Sequence, residues 1–134
     1  VFAGSEHPLR LGHTIVAENF KGSGSTPNDC DGTIFSLGYN LIEETSDCTL
    51  EGITGNTITG MNKADLHNLG FWGGSTRVHR LQTTREARDA GNPSAPNDAS
   101  IFAGREQDQR SEPRPVDGGG DSESLCDVGA VEMQ

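Results

Sequence analysis

Little in this chain is suited to a thick core. Of its 134 residues, 31% are apolar and 5% aromatic, with a single tryptophan and a single tyrosine. No apolar run approaches the length of a membrane-crossing helix, no signal-peptide pattern is present, and helical periodicity is nearly missing. Positive charge is scarce as well. Ten basic residues stand against twenty acidic ones, for a formal charge of −10, and the lysines are Lys21 and Lys63 alone. A phosphate backbone would be repelled by that field, so nucleic acid is not an expected partner. The thin apolar content argues against a sphere packed around a broad centre and leaves either disorder or an elongated β-fold with a narrow core.

What is present favours the second. Apolar residues come in short β-branched clusters, Thr14-Ile15-Val16, Thr33-Ile34-Phe35 and Thr57-Ile58-Thr59, separated by turn chemistry that draws on eighteen glycines and six prolines. The segment 21–32 reads as a loop, 33–42 as a strand region interrupted at Gly38, and 43–56 as turn-rich with Leu50 and Ile53 as anchors. The segment 83–90 has helix formers without an apolar stripe and reads as a turn. From Gly91 onward loop chemistry prevails until Leu125-Cys126-Asp127-Val128-Gly129-Ala130-Val131, which alternates like a strand. Ile15-Val16 and Leu41-Ile42 lie 26 residues apart, the spacing of one coil in a repetitive β-fold. The chain opens at Val1 rather than at methionine, as a mature product or a fragment would.

Three cysteines make an odd count. Cys30 and Cys48 flank an apolar segment amid turn residues, and a disulfide there would stabilise by about 3 kcal/mol on the loop-entropy argument. Metal binding is the competing reading, but no C-x-x-C or paired histidine accompanies them. Cys126 is left over as an unpaired thiol.

Read in order, several motifs fall into one pattern: Pro27-Asn28-Asp29-Cys30, Ser36-Leu37-Gly38-Tyr39-Asn40-Leu41-Ile42, Cys48, the segment 66–69, Gly73-Gly74-Ser75-Thr76, His79, Leu81, Asp89-Ala90-Gly91, Asp108-Gln109-Arg110, Arg114-Pro115 and Cys126-Asp127-Val128-Gly129-Ala130-Val131-Glu132. Together, from about His13 to Glu132, they resemble the C-terminal region of bacterial surface proteins of the choice-of-anchor Q or CSLREA-domain type. The resemblance implies a right-handed parallel β-helix similar in style to polymorphic outer-membrane proteins, secretion to the cell surface, and no catalytic residues. Three departures stand out. Phe71-Trp72 replaces the usual Asp-Asn before the double glycine, and Arg85-Glu86-Ala87-Arg88 replaces a small apolar run. Residues 101–107 also lack the cysteine common there, which leaves Cys126 without its usual partner.

Candidate sites are weighed against structural roles. The acids Asp117, Asp121, Glu123 and Asp127 crowd the last segment and are the candidate calcium ligands, although neither an EF-hand nor a nonapeptide calcium repeat is present. His79 has no nucleophile placed beside it and reads as a hydrogen-bonded structural residue. Asp108-Gln109-Arg110 with Arg114 reads as guanidinium–carboxylate pairing that fixes a loop. Asn40 reads as a turn-satisfying residue between neighbouring coils. Phe71 and Trp72, with Arg85 and Arg88, are candidates for contact with a partner chain or a glycan.

The expectation is thus an all-β chain forming a single domain over residues 1–134. Residues 1–81 make the coils of a short right-handed parallel β-helix end piece, and 82–134 a long irregular capping segment. The expected role is a non-catalytic extracellular structural or adhesin-like subunit, joined to other protein chains in an assembly or longer precursor, with carbohydrate as a further partner. Its rivals are a β-helix carbohydrate-active enzyme, a polysaccharide lyase or hydrolase, and a calcium-dependent binding module. Calcium is the sole cofactor considered.

Overall fold

In the computed structural model, which describes residues 2–3, 8–82, 86–93, 106–118 and 120–133, the chain is all-β, with no helix among the described residues. Nine short strands occur in order: β1 (Phe2–Ala3), β2 (Leu9–Leu11), β3 (Ile15–Val16), β4 (Phe20–Lys21), β5 (Thr26–Pro27), β6 (Asp31–Ser36), β7 (Leu41–Ile42), β8 (Cys48–Gly52) and β9 (Ile58–Thr59). Contacts divide the chain into two compact units, Val1–Ala64 and Asp65–Gln134, and among the described residues all nine strands lie in the first.

The first unit is built by parallel pairing of successive passes of the chain. In one sheet β6 is central, with β1 and β2 on one side and β8 on the other. In a second sheet β7 lies between β3 and β9. Each pass therefore gives a strand to the first sheet, turns, and gives a strand to the second. The pairing is in register for the aliphatic residues: Leu9, Ile34 and Leu50 align across one sheet, and Ile15, Leu41 and Ile58 across the other. The 26-residue offset between Ile15-Val16 and Leu41-Ile42 is a true strand register.

Side-chain alternation along β6 explains why so few apolar residues suffice. Ile34 and Ser36 point inward and are fully buried, while Phe35 points out and lies under the Arg10 guanidinium, 4.9 Å from ring centroid to Cζ. The core comprises Val16, Cys30, Ile34 and Ile42, with Leu9, Leu11, Cys48 and Leu50 packed against it. The Cys30–Cys48 disulfide, with Cα atoms 5.6 Å apart, joins the residue preceding β6 to the first residue of β8.

The corners between the two sheets are held by side chains. Asn40 is fully buried; its Oδ1 accepts from Thr14 N at 3.0 Å, and its Nδ2 donates to Leu11 O and Ser36 Oγ, each at 3.0 Å. One pass of the chain thus satisfies the turn of the pass before it. Ser36 Oγ extends the chain of bonds to Ile53 O at 2.7 Å and Thr57 Oγ1 at 2.8 Å. At the same corner the rings of His13 and Tyr39 lie 5.3 Å apart, both residues at positive φ. Gly52 also has positive φ, and a β-carbon there would collide with Ser36 O, so only glycine fits.

Several local readings are corrected. The 21–32 loop contains an antiparallel pairing of β4 with β5, and β6 already begins at Asp31. The polar segment after Ile42 contains a full strand, β8, because in-register pairing with β6 outweighs its turn-rich composition. Ile53 is no anchor: it is 56% exposed, since the turn at Gly52 swings the chain away from the core. Residues 125–131 form no strand. The consecutive residues Cys126, Asp127 and Val128, with Val131, instead lie inside the second unit, whose backbone bonds to other loops, as Val128 N does to Ala87 O at 2.8 Å.

Candidate functional site

Three features concentrate chemistry. The first, in the first unit, is a cleft of about 310 Å³ lined by Glu18, Asn19, Phe20, Asp29, Glu43 and Met61, among others. Phe20 and Met61 are 55% and 45% exposed, which is unusual for large apolar side chains and gives the cleft a greasy rim. Its carboxylates differ in role. Buried Asp29 accepts from Asn19 N and Nδ2 at 2.9 Å and from Glu44 N at 2.9 Å, holding two loops together. Glu43 accepts from Ala64 N at 2.8 Å. Glu18, at positive φ, is exposed.

The second feature is a ribbon of two facing segments in the second unit, spanning 65–82 and joined by isolated antiparallel bridges. Antiparallel bridges link Leu66 to Leu81 and Gly70 to Val78, the latter with reciprocal N–H···O bonds of 3.1 and 2.9 Å. Phe71 and Arg77 follow and precede that pair, so they oppose each other across the ribbon, next to Leu69 and His79. Exposure splits by face: Val78 is buried, whereas Leu69, Phe71, Arg77 and His79 are all exposed, Phe71 at 69%. Trp72 is half-buried. Its indole N–H donates to Asn68 O at 3.2 Å, the His67 ring lies 4.9 Å away, and the Arg80 guanidinium sits 5.5 Å from its ring. Neither Arg77 nor Arg80 forms an ion pair among the described residues, although the chain carries twice as many acids as bases.

The third is a buried charge network that holds the loop-rich second unit together. Arg110 forks onto Asp108, Nε at 2.8 Å and Nη2 at 2.7 Å from Oδ2, and gives two further protons to Trp72 O at 3.0 Å and to Glu132 O. Arg114 donates to Glu132 Oε2 at 2.9 Å, Gly129 O at 3.2 Å and Asp127 O at 2.6 Å. The acids are equally committed. Glu132 also accepts from Val116 N and Asp127 N, each at 3.0 Å, and Asp127 from Asp89 N at 2.8 Å and Met133 N at 2.6 Å. Burial, reinforced by the neighbouring Glu132 and Asp89 charges, pushes Asp127 up to about 7 despite its two amide donors. Burial alone would also raise Asp108, but donation from Glu132 N, Arg110 and Glu112 N outweighs it and holds that carboxyl below its ordinary value. These hydrogen bonds offset part of the cost of burying the ions.

No protein-family model, curated protein or solved structure matches the chain. Residue roles therefore rest on geometry.

The acids proposed for calcium are dispersed over different tasks. Asp117 accepts from Gly120 N and Ser122 N, Asp121 from Glu123 N, and Asp127 sits in the buried network. Among the described residues no three His, Cys, Asp or Glu side chains are placed to share a metal. Cys126 is a free thiol but wholly buried, with its acidity suppressed by burial, so it cannot meet another chain. Arg88 is not a surface contact either: its side chain is 14% exposed, 3.7 Å from Asp89 and against Gly118. Arg85 lies outside the described residues. His79 places Nδ1 2.9 Å from His67 O, bracing the ribbon. Sequence reasoning saw that Arg110 and Arg114 would pair with carboxylates but did not single out Glu132, whose only signal is an acid ending an alternating apolar segment.

Proposed function

We propose that the chain is a short right-handed parallel β-helix of the surface-protein type it resembles, and that it works as a non-catalytic extracellular structural or adhesin-like subunit of a larger assembly. The observation that carries this reading is the in-register parallel stacking of successive passes, with Leu9–Ile34–Leu50 and Ile15–Leu41–Ile58 aligned and Asn40 stitching one corner to the next. Such stacking is how a repetitive coil buries a narrow core, and it suits a chain this poor in apolar residues. The disulfide supports an oxidising compartment, and no helix among the described residues is long and apolar enough to cross a membrane. Among the described residues strands β8 and β9 each have a single strand partner, and an edge strand presents backbone donors and acceptors that favour further association.

Two measurements test the proposal. Light scattering on the purified chain is expected to give a mass above that of one chain at high concentration; a strictly monomeric species would overturn the assembly role. A screen on uronate polymers, with and without calcium, is expected to show no turnover. Robust cleavage abolished by His79→Ala, with the fold intact, would replace the structural reading by an enzymatic one.

A further inference from the structure

We infer that the assembly is head-to-tail: the exposed face of the 65–82 ribbon of one copy docks into the Glu18–Glu43 cleft of the next. This deepens the subunit role just proposed and rests on it, by naming the partner as a second copy of this chain and assigning the two surfaces.

The case begins with charge. In a chain of net charge −10, the ribbon holds two arginines and two histidines, Arg77, Arg80, His67 and His79, against Asp65 as its one acid. Arg110, Arg114 and Arg88 all face carboxylates within their own unit, whereas Arg77 and Arg80 have none among the described residues. Arg77 is exposed and, among the described residues, anchored through Nη2 alone, to Leu69 O at 3.3 Å, so much of its planar fork faces no described partner. Leu69 and Phe71 lie on the same face, 44% and 69% exposed. Aromatic and arginine side chains together are the usual anchors of a protein interface.

The cleft has the reciprocal chemistry. Glu18 and Glu43 supply negative charge, and exposed Phe20 and Met61 supply apolar surface at its rim. Neither Lys21 nor Lys63 lines it, and Lys21 is paired with Asp47. At about 310 Å³ the cleft lies at the small end of ligand-pocket sizes, fit for one or two large side chains rather than a polymer strand. Phe71 with Arg77 offers the complementary pair, an exposed apolar ring and a positive charge.

The ribbon is also held ready for contact. Arg110 Nη1 donates to Trp72 O, Gly74 packs so closely on Arg110 that a β-carbon would press on it at 3.0 Å, and Gln109 Nε2 reaches Thr76 Oγ1 at 3.2 Å. A braced tip loses little conformational freedom on binding. Because the two surfaces are different patches of the same chain, reciprocal exchange closes a pair and one-way exchange propagates into rings or filaments.

The test is a charge swap read by sedimentation or light scattering. Arg77→Glu and Glu18→Lys are surface changes, and circular dichroism checks that each variant stays folded. Each alone is expected to raise the half-association concentration at least tenfold, and mixing the two variants is expected to restore association, since each brings one intact surface and the altered pair is again opposite in charge. Added salt should weaken the wild-type association. If both single variants associate like wild type, the head-to-tail contact is wrong while the subunit role stands. Association lost in the single variants but not restored on mixing also overturns the contact. A wild-type chain that never associates removes both.

Discussion

Replacing Glu132 by glutamine is the sharpest test of how the second unit is held. The wild-type carboxylate is fully buried and accepts from Arg114 Nε, Asp127 N and Val116 N. Glutamine keeps the shape but turns one oxygen into an N–H₂ group, which must then face at least one of those donors. It also leaves the Arg114 guanidinium, only 7% exposed, without its counter-ion. Breaking one side of a buried pair costs roughly 3–5 kcal/mol. Arg114 would retain Gly129 O and Asp127 O, which places the expected loss near the lower bound, about 3 kcal/mol. Trp72, the only tryptophan, belongs to the same unit, and its carbonyl is bonded to Arg110, so its fluorescence reports unfolding there. With a urea slope of about 1–1.5 kcal/mol per molar, the midpoint should fall by roughly 2–3 M. Adding Arg114→Met to the glutamine variant should recover part of the loss by removing the stranded charge. A midpoint within about 0.3 M of wild type would refute the reasoning, as would a double variant weaker than the sum of its parts.

Two further outcomes are expected. Asn40→Ala removes three hydrogen bonds from a fully buried position and leaves Thr14 N and Leu11 O without a side-chain partner, at a cost of about 3 kcal/mol; hydrogen exchange at the Leu41 amide should accelerate accordingly, and unchanged exchange would contradict the corner role. For pH, a carboxyl whose folded value is raised binds its proton more tightly in the folded state, so the Asp127 contribution is complete below its ordinary 3.8 and is lost as pH rises through about 7. Asp108, held low, works in the opposite sense and is lost as pH falls below 3.8. Stability monitored at Trp72 should therefore decline from mildly acidic pH toward 7, and Asp127→Asn should flatten that decline; an unchanged slope in the variant would exclude Asp127 as its source.

What could be read directly was whatever depends on local chemistry or on a simple offset. Short β-branched clusters among glycines specify strands and turns because backbone preference acts over a few residues. The 26-residue offset of Ile15-Val16 and Leu41-Ile42 identifies one register because stacked passes must align apolar side chains. The next pass is shorter, with Leu41 aligned to Ile58, because it lacks an excursion like the β4–β5 pairing; no local signal distinguishes an insertion from a change of period. The turn-like residues around Cys48 concealed β8 for a related reason, since its pairing is supplied by β6 rather than by its own composition.

The acids of the last segment mark the boundary between the two kinds of information. Composition determined that the chain would be acidic, narrow-cored and all-β, and that its arginines would seek carboxylates. Which carboxylate an arginine found was decided by tertiary structure alone: Arg110 met Asp108 and Arg114 met Glu132, while Asp127 was drawn inside onto backbone amides and Asp117 remained in a turn. The same holds for Arg77 and Arg80, which form no ion pair among the described residues while Arg110 and Arg114 face the buried acids. Burial is a property of the folded surroundings, and for an ion it depends on whether several donors from distant segments converge on it, which sequence neighbours do not specify.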